Sequence, residues 1–352
     1  MTEKNDTKQL IDRLEATRNL SRDEWIRLIQ NRTADDADYL FERAQAVRTR
    51  HYGRSVYIRG LIEFTNYCKN DCFYCGIRKS NRNANRYRLT KEQILSCCEM
   101  GYALGFRTFV LQGGEDGSFT DDRLTDIISS IRTRWRACAI TLSVGERSYE
   151  SYKRLYDAGA NRFLLRHETY DDTHYGKLHP PALNAARRKQ CLFDLKKIGY
   201  QVGTGFMVGS PYQTSENLAD DMLFLKELNP QMVGIGPFIP HHDTPFADQK
   251  AGSADLTLFL LGLIRLLLPK VLLPATTALG TIDSDGREKG ILAGANVIMP
   301  NLSPPQVREK YLLYDNKLCT GDEAAESLRS LKQRIQNIGY EITVSRGDSL
   351  NI

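Results

Sequence analysis

Between residues 56 and 299 the chain alternates β-rich runs with amphipathic segments of helical period, and it does so eight times. Val56–Phe64 (VYIRGLIEF), Thr108–Gln112, Ala139–Val144, Arg162–Arg166, Gln201–Val208, Met232–Ile235, Val271–Pro274 and Ala295–Met299 read as strands. Lys91–Leu104, Asp121–Arg134, Tyr149–Ala158, Leu183–Ile198, Glu216–Leu228, Leu256–Leu268 and Glu288–Leu292 read as helices between them. Gly105, Gly159, Gly199 and Gly294 stand where helix C-caps belong. Eight such units in roughly 250 residues predict an α/β fold, a (β/α)8 TIM-type barrel, rather than an open doubly wound sheet. Residues 1–50 read as a helical N-terminal extension. In it Ser21 caps Arg22–Ile29, Glu24 completes a capping box, and Ala34–Arg50 carries apolar residues at helical spacing. Residues 51–300 then form the barrel, and residues 301–352 form a C-terminal tail that closes one end.

The 352 residues are 41% hydrophobic and 26% charged, the composition of a globular chain rather than a disordered or collagenous one. The net charge of +5 comes from 48 basic and 43 acidic residues spread along the chain, without the basic cluster of a nucleic-acid binder. Leu256–Leu273 is the most apolar stretch. Arg265, Pro269 and Lys270 interrupt it, so it reads as a buried barrel helix and strand rather than a membrane span. The opening MTEKNDTKQL shows no export signal, which places the protein in the cytoplasm. There, eight cysteines are thiols, metal ligands or redox groups rather than disulfides.

Cys68, Cys72 and Cys75 form a C-x3-C-x2-C triplet in TNYCKNDCFYCGI. It follows the first strand directly and so lies at the C-terminal mouth of the barrel, where active sites of this fold sit. Three thiolates hold three corners of an iron–sulfur cube and leave one iron open, whereas ordinary clusters use four cysteines. A zinc knuckle would want a fourth ligand close by, and the nearest preceding histidine, His51, lies beyond a strand. Strand two ends in Gln112-Gly113-Gly114-Glu115, where two glycines let a ligand approach the backbone. Strand four ends in Arg166-His167-Glu168, ionisable residues that are costly at a barrel mouth unless paired or used. Strand five carries GTGFMVG, which includes Met207.

The triplet, with aromatic Tyr74 before its last cysteine, resembles the signature of the radical S-adenosylmethionine (radical SAM) superfamily. The resemblance implies a [4Fe–4S] cluster on Cys68, Cys72 and Cys75. Its open iron would bind the amino and carboxylate groups of SAM, which is cleaved reductively to a 5′-deoxyadenosyl radical. The segments CGIRKSNRNANRYRLT, VLQGGED, LLRHET, VGIGPFIPHHDTP, LPATTALGT and GANVIMPN, with Tyr311-Leu312-Leu313-Tyr314, resemble more narrowly the HydE family of iron–iron hydrogenase maturases. That resemblance spans the barrel. It implies SAM contacts from Tyr74, Gln112, Gly113, Gly114, Glu115, Ser143, Glu168 and Met207. It implies one more from Arg187 or Arg188, the count back from Cys191 favouring Arg188. It implies a substrate cavity lined by Arg166, Thr276, Thr277, Tyr311 and Tyr314. A guanidinium with hydroxyl donors suits a small anionic, iron-bearing substrate supplied by another maturase. Thr276 and Thr277 equally suit barrel packing, and the two tyrosines equally suit packing of the tail. The implied partners are other hydrogenase maturases and a ferredoxin or flavodoxin as electron donor, with no nucleic acid and no membrane.

The remaining cysteines bear on the neighbouring activities. Some HydE members carry three further cysteines near the C-terminus; Cys319 matches the first, and TGDEAAESLRS after it holds no other. Cys97, Cys98 and Cys191 lie on helices and Cys138 precedes strand three, so none is placed to hold the sulfur-donor cluster of biotin synthase. An amino-acid mutase like methylornithine synthase, a sulfur-inserting enzyme, and a non-catalytic iron–sulfur electron carrier are the alternative readings. His167 and the His241-His242 pair read as structural, with a metal or anion contact as the alternative for the pair.

Overall fold

The computed structural model describes residues 3–318 and 325–351. Its parallel strands close on themselves. The first barrel strand is broken at Arg59 into β1 (Ser55–Ile58) and β2 (Gly60–Thr65). β3 (Thr108–Gly113), β4 (Ala139–Ser143) and β5 (Arg162–Leu164) follow. The fifth strand is split into β6 (Gln201–Thr204) and β7 (Met207–Val208), and the sixth into β8 (Met232–Val233) and β9 (Gly236–Pro237). β10 (Val297–Ile298) is the eighth. One ladder runs β2-β3-β4-β5-β6-β8, and β10 pairs in parallel with β1 through Tyr57↔Val297.

The seventh unit is the departure. Val271–Pro274 forms no extended strand; it joins its neighbours through the isolated bridges Met232↔Leu272 and Pro274↔Val297. Pro274 has no N–H to give to a ladder. Helices Asp172–Leu178 and Thr277–Ile282 lie where the sequence reading had only loop, and the helix expected from Leu183 starts at Ala185 under an Asn184 cap. Both extra helices are short, seven and six residues, too few for a period to stand out.

The period-2 alternation sorts the strand side chains. Ile62, Phe64, Phe109, Leu111, Ile140, Leu142 and Phe163 are buried in the main apolar core. Their alternates Leu61, Glu63, Gln112, Ser143 and Leu164 face the lumen. The N-terminal helices Glu3–Thr17, Arg22–Gln30 and Ala34–Tyr52 pack on the barrel's outer helices. The Ser21–Glu24 capping box forms as expected. Buried Arg48 pins the third of these helices to the barrel, donating to the carbonyls of Ala295 (2.9 Å) and Ser55 (2.7 Å). No helix among the described residues is long and apolar enough to cross a membrane.

The C-terminal segment reaches both ends of the barrel. Residues 311–317 lie along the mouth, where Gly76 N–H donates to the Leu313 carbonyl (2.9 Å) and Asn66 Nδ2 to Lys310 (2.7 Å). The chain then returns to the opposite end as β11 (Glu341–Thr343), which pairs with β1. Beyond it Arg162 donates to the Arg346 carbonyl (2.9 Å) and pairs with Asp348 (2.7 Å), and Gln231 donates to Asn351 (3.1 Å).

Burial alone would raise the Asp348 carboxyl; hydrogen bonds from Arg162 and Arg346 outweigh it and hold it well below its ordinary value. A depressed carboxyl contributes stability above its unfolded value and loses it as pH falls toward the folded one. Asp348→Asn is therefore expected to lower the unfolding temperature at neutral pH. The deficit against the native chain should shrink as pH drops below the usual carboxylate range, as thermal scans across pH would show.

Candidate active site

The eight strands end around one cavity of about 350 Å³. The loop after β2 carries Cys68, Cys72 and Cys75 over it, each partly buried with a free thiol lining the cavity. The loop is fastened on several sides. Lys69 N–H donates to Glu115 (2.9 Å), Phe73 N–H to Leu178 (3.0 Å) and Lys79 N–H to Asn70 (2.8 Å). Arg86 holds it from within, donating to the carbonyls of Asn66, Ile77 (2.9 Å) and Arg78 (2.6 Å). Burial, with Cys68 beside it, pushes the Cys72 thiol up to about 12, and burial raises Cys75 and Cys68 as well. Loading a metal here must expel those protons, so binding is proton-coupled.

Gly114 lets this loop lie down on the end of β3. A Cβ there would meet the Tyr67 carbonyl oxygen at 2.2 Å and Cys68 Cβ at 2.8 Å. Glu115 next to it accepts from Glu146 N–H (3.1 Å) and lies 3.7 Å from Arg188. Arg188 also reaches Glu146 (3.2 Å) and donates its Nε to the Arg166 carbonyl (2.8 Å). Burial would lower Arg188, but the Tyr175 hydroxyl and the carboxylates of Glu146, Glu168 and Glu115 outweigh it and hold the guanidinium charged.

Glu168 takes a left-handed backbone (φ 69°), held by Glu168 N–H to Gly205 (3.1 Å) and Met207 N–H to Glu168 (3.2 Å). Strain of this kind in a non-glycine residue persists only where its surroundings over-determine it. The turn brings Glu168 Oε2 within 3.0 Å of Arg166 Nη2. The two atoms are not aligned for a hydrogen bond, and neither has another partner among the described residues. Thr276 Oγ1 is buried and unpaired in the same way. Buried polar atoms left open around one cavity are available to the contacts of a bound group.

Each residue given a cluster, SAM or substrate role in the sequence lines this cavity except Arg187. Gln112, Gly113, Gly114 and Glu115 arrive from β3, Ser143 from β4, Arg166 and Glu168 from β5, and Met207 from β7. Thr276 and Thr277 follow the irregular seventh strand, and Tyr311 and Tyr314 come from the tail. Arg187 is exposed and donates to the Arg147 carbonyl (2.9 Å), because one residue of helix turns it about 100° from Arg188. Of the two arginines left open by the sequence, Arg188 is therefore the one at the cavity. His167 points away from the cavity, between Thr204 (2.8 Å) and Asp221 (3.1 Å). His241 is buried against Gly76, and His242 pairs with Asp315 (2.6 Å). Cys97, Cys98, Cys138 and Cys191 are buried free thiols away from the cavity lining, and Cys319 lies outside the described residues.

The sequence reading missed five lining residues with polar side chains, Glu63, Asn70, Tyr175, His179 and Lys317. His179 is neutral, lowered to about 3 by burial. Its Nδ1–H donates to the Tyr175 carbonyl (2.9 Å), so Nε2 accepts from the Tyr74 hydroxyl (3.1 Å) and sets that ring. Tyr175 stacks on His179 at 3.9 Å. Glu63 and Lys317 form a buried pair at 2.7 Å. The HP dipeptide after Leu178 was the available signal for His179; no local pattern marks Lys317.

Residues 62–225 match the radical SAM superfamily model. Over 300 residues, 85% of this chain and 85% of the relative, the chain is 45% identical to the [FeFe] hydrogenase maturase subunit HydE of Thermotoga maritima. It belongs to the HydE family of radical SAM enzymes. The crystal structure of methylornithine synthase (PylB) superposes with a TM-score of 0.83 at 26% identity, covering 95% of this chain and 97% of that one. That of HydG, a maturase of the [FeFe]-hydrogenase, superposes at 0.80 and 20% identity over 97% and 76%, which shows a shared fold. As a HydE-family enzyme, the chain uses a [4Fe–4S] cluster and SAM. The residues present fit both: three thiols on one loop, and charged groups with open hydrogen-bonding capacity beside them.

The contrast between the two arginines is testable. Removing a charged hydrogen-bond donor from a ligand costs about 1.5–3 kcal/mol, or roughly ten- to a hundredfold in affinity. Arg188→Ala is expected to weaken SAM binding by that factor in the reconstituted enzyme, and Arg187→Ala to leave it near the native value, as calorimetry would read.

Proposed function

We infer that this chain is a HydE-type maturase, which acts on an iron-containing intermediate during assembly of the two-iron subcluster of iron–iron hydrogenase. The observation that carries this reading is the 45% identity to HydE along a chain whose cysteine triplet and cavity lining form one continuous site. The identity to PylB is 26%, which makes the amino-acid mutase the weaker reading. Among the described residues no cysteine beyond the triplet lines the cavity, so the sulfur-inserting reading finds no ligands there for its second cluster.

When bound, the cluster and SAM supply one-electron cleavage of SAM and a 5′-deoxyadenosyl radical. This chain's residues provide the surroundings. Cys68, Cys72 and Cys75 hold the cluster, and Tyr74 packs beside it under the control of His179. Gly113, Gly114 and Glu115 offer backbone and carboxylate acceptors to the SAM amino group, and Arg188 offers its guanidinium to the carboxylate. Glu168 and Ser143 face the nucleoside, and Met207 packs against it. Arg166, Thr276, Thr277, Tyr311 and Tyr314 orient an anionic substrate deeper in the lumen. The tail along the mouth and the packed N-terminal end exclude water from reactive species. A ferredoxin- or flavodoxin-like protein supplies the electron, another maturase supplies the substrate, and the protein works in the cytoplasm.

Cys72→Ala should abolish 5′-deoxyadenosine formation and fail to restore hydrogenase activity in an anaerobic maturation assay that lacks HydE. Native chain that cleaves SAM yet restores no hydrogenase activity would overturn the maturase reading in favour of a mutase or sulfur-inserting enzyme.

A further inference from the structure

Lys317 comes from the tail, yet its side chain is only 6% exposed and lines the cavity. Its partner Glu63, on β2, has a side chain that is 0% exposed. Glu63 is clamped on all sides. One carboxylate oxygen takes Lys317 (2.7 Å), the other takes Asn301 Nδ2 (2.9 Å), its N–H donates to Ser303 Oγ (2.8 Å), and its carbonyl accepts from the Tyr87 hydroxyl (2.6 Å). Lys317 is not clamped in this way. One of its three donors goes to Glu63, no other acceptor is recorded for it among the described residues, and its ammonium sits 5.1 Å from the Tyr311 ring centre.

A buried ion pair is no better for stability than a well-packed apolar pair, because desolvating two charges consumes most of their attraction. A pair left with spare donors facing a cavity therefore calls for a use. The lumen places a second cation on another wall. Arg166 follows β5, which is separated from β2 by β3 and β4, and its Nε and Nη2 lack hydrogen-bond partners among the described residues, as does cavity-lining Thr276 Oγ1 after the seventh unit.

We propose that Lys317 is a specificity-determining residue: its ammonium, positioned by Glu63, receives one anionic end of the substrate while Arg166, across the lumen, receives the other. The substrate class is then a small complex with negative or strongly accepting groups at two separated ends. A molecule with only one accepting end would leave the open donors at one of the two walls without an acceptor. Lys317 belongs to the tail, so recognition of the far end also depends on the tail lying along the mouth. This rests on the maturase reading.

The test measures 5′-deoxyadenosine formation by the reconstituted enzyme, titrated with the low-molecular-mass filtrate of a HydG maturase reaction. Lys317→Met is expected to raise the half-saturating amount of filtrate at least about tenfold, more than it lowers the saturating rate, since a charged contact made to the bound substrate is lost. Lys317→Arg, which keeps the charge, should return to within about threefold of native. Glu63→Gln should raise the half-saturating amount less than Lys317→Met does. Thermal unfolding checks that each chain is folded, and Lys317→Gln replaces the methionine variant should that one fail to fold. A folded Lys317→Met with native half-saturation, or a Lys317→Arg as impaired as Lys317→Met, overturns the proposal, because a merely structural latch would behave that way. Native enzyme that cleaves SAM without responding to the filtrate overturns the maturase reading itself, and the proposal with it.

Discussion

The pairing of β10 with β1 is the contact on which the rest depends. Two parallel bridges, Tyr57↔Val297 and Ile58↔Ile298, turn a row of βα units into a closed ring. Closure sends every barrel strand's C-terminal end to the same rim. Residues as distant in sequence as Cys68, Arg188 and Thr276 then line one cavity without any of the loops having to travel far. The split of the first strand at Arg59 fits the same geometry: β1 belongs to the eighth strand and the tail, and β2 to the second strand.

Much of this was legible because it depends on local period. Alternation of period two and period 3.6 marked seven of the eight strands and the intervening helices, and the triplet's place after the first strand put it at the mouth. What was not legible depends on contacts across the fold. The seventh strand reads as a strand by composition, yet Pro274 and the crowded closure leave it two bridges. Arg187 and Arg188 are adjacent in sequence, and only the helix's rotation against the barrel decides which one meets Glu115 and Glu146. Lys317 sits in a polar stretch with no periodic signal. Its role comes from the path of the tail, which no pattern within the tail encodes.

The electrostatics of the site follow from burial more than from charge count. The net charge of the chain is a small surplus, but the cavity concentrates both signs in a space shielded from water, where interactions are stronger. The carboxylates at the rim are answered by arginines: Glu115 and Glu146 by Arg188, and Glu168 by Arg166. The last pair lies within hydrogen-bond reach yet misaligned, and it sits beside the strained Glu168 backbone. Misalignment there and good geometry elsewhere point to a site already shaped for a ligand rather than to loose packing.

The tail ties the two ends of the barrel to one another. The segment that lies on the cluster loop, through Gly76 and Leu313, continues to the strand that extends β1 at the opposite end. The Arg162–Asp348 pair at the far end and the cavity residues Tyr311, Tyr314 and Lys317 thus belong to one C-terminal segment. The preparation of the site is therefore not a property of the mouth alone. Residues 311–317 fastened along the mouth, and residues 341–351 fastened at the base, cover both ends of a barrel whose chemistry must keep water away from a reactive radical.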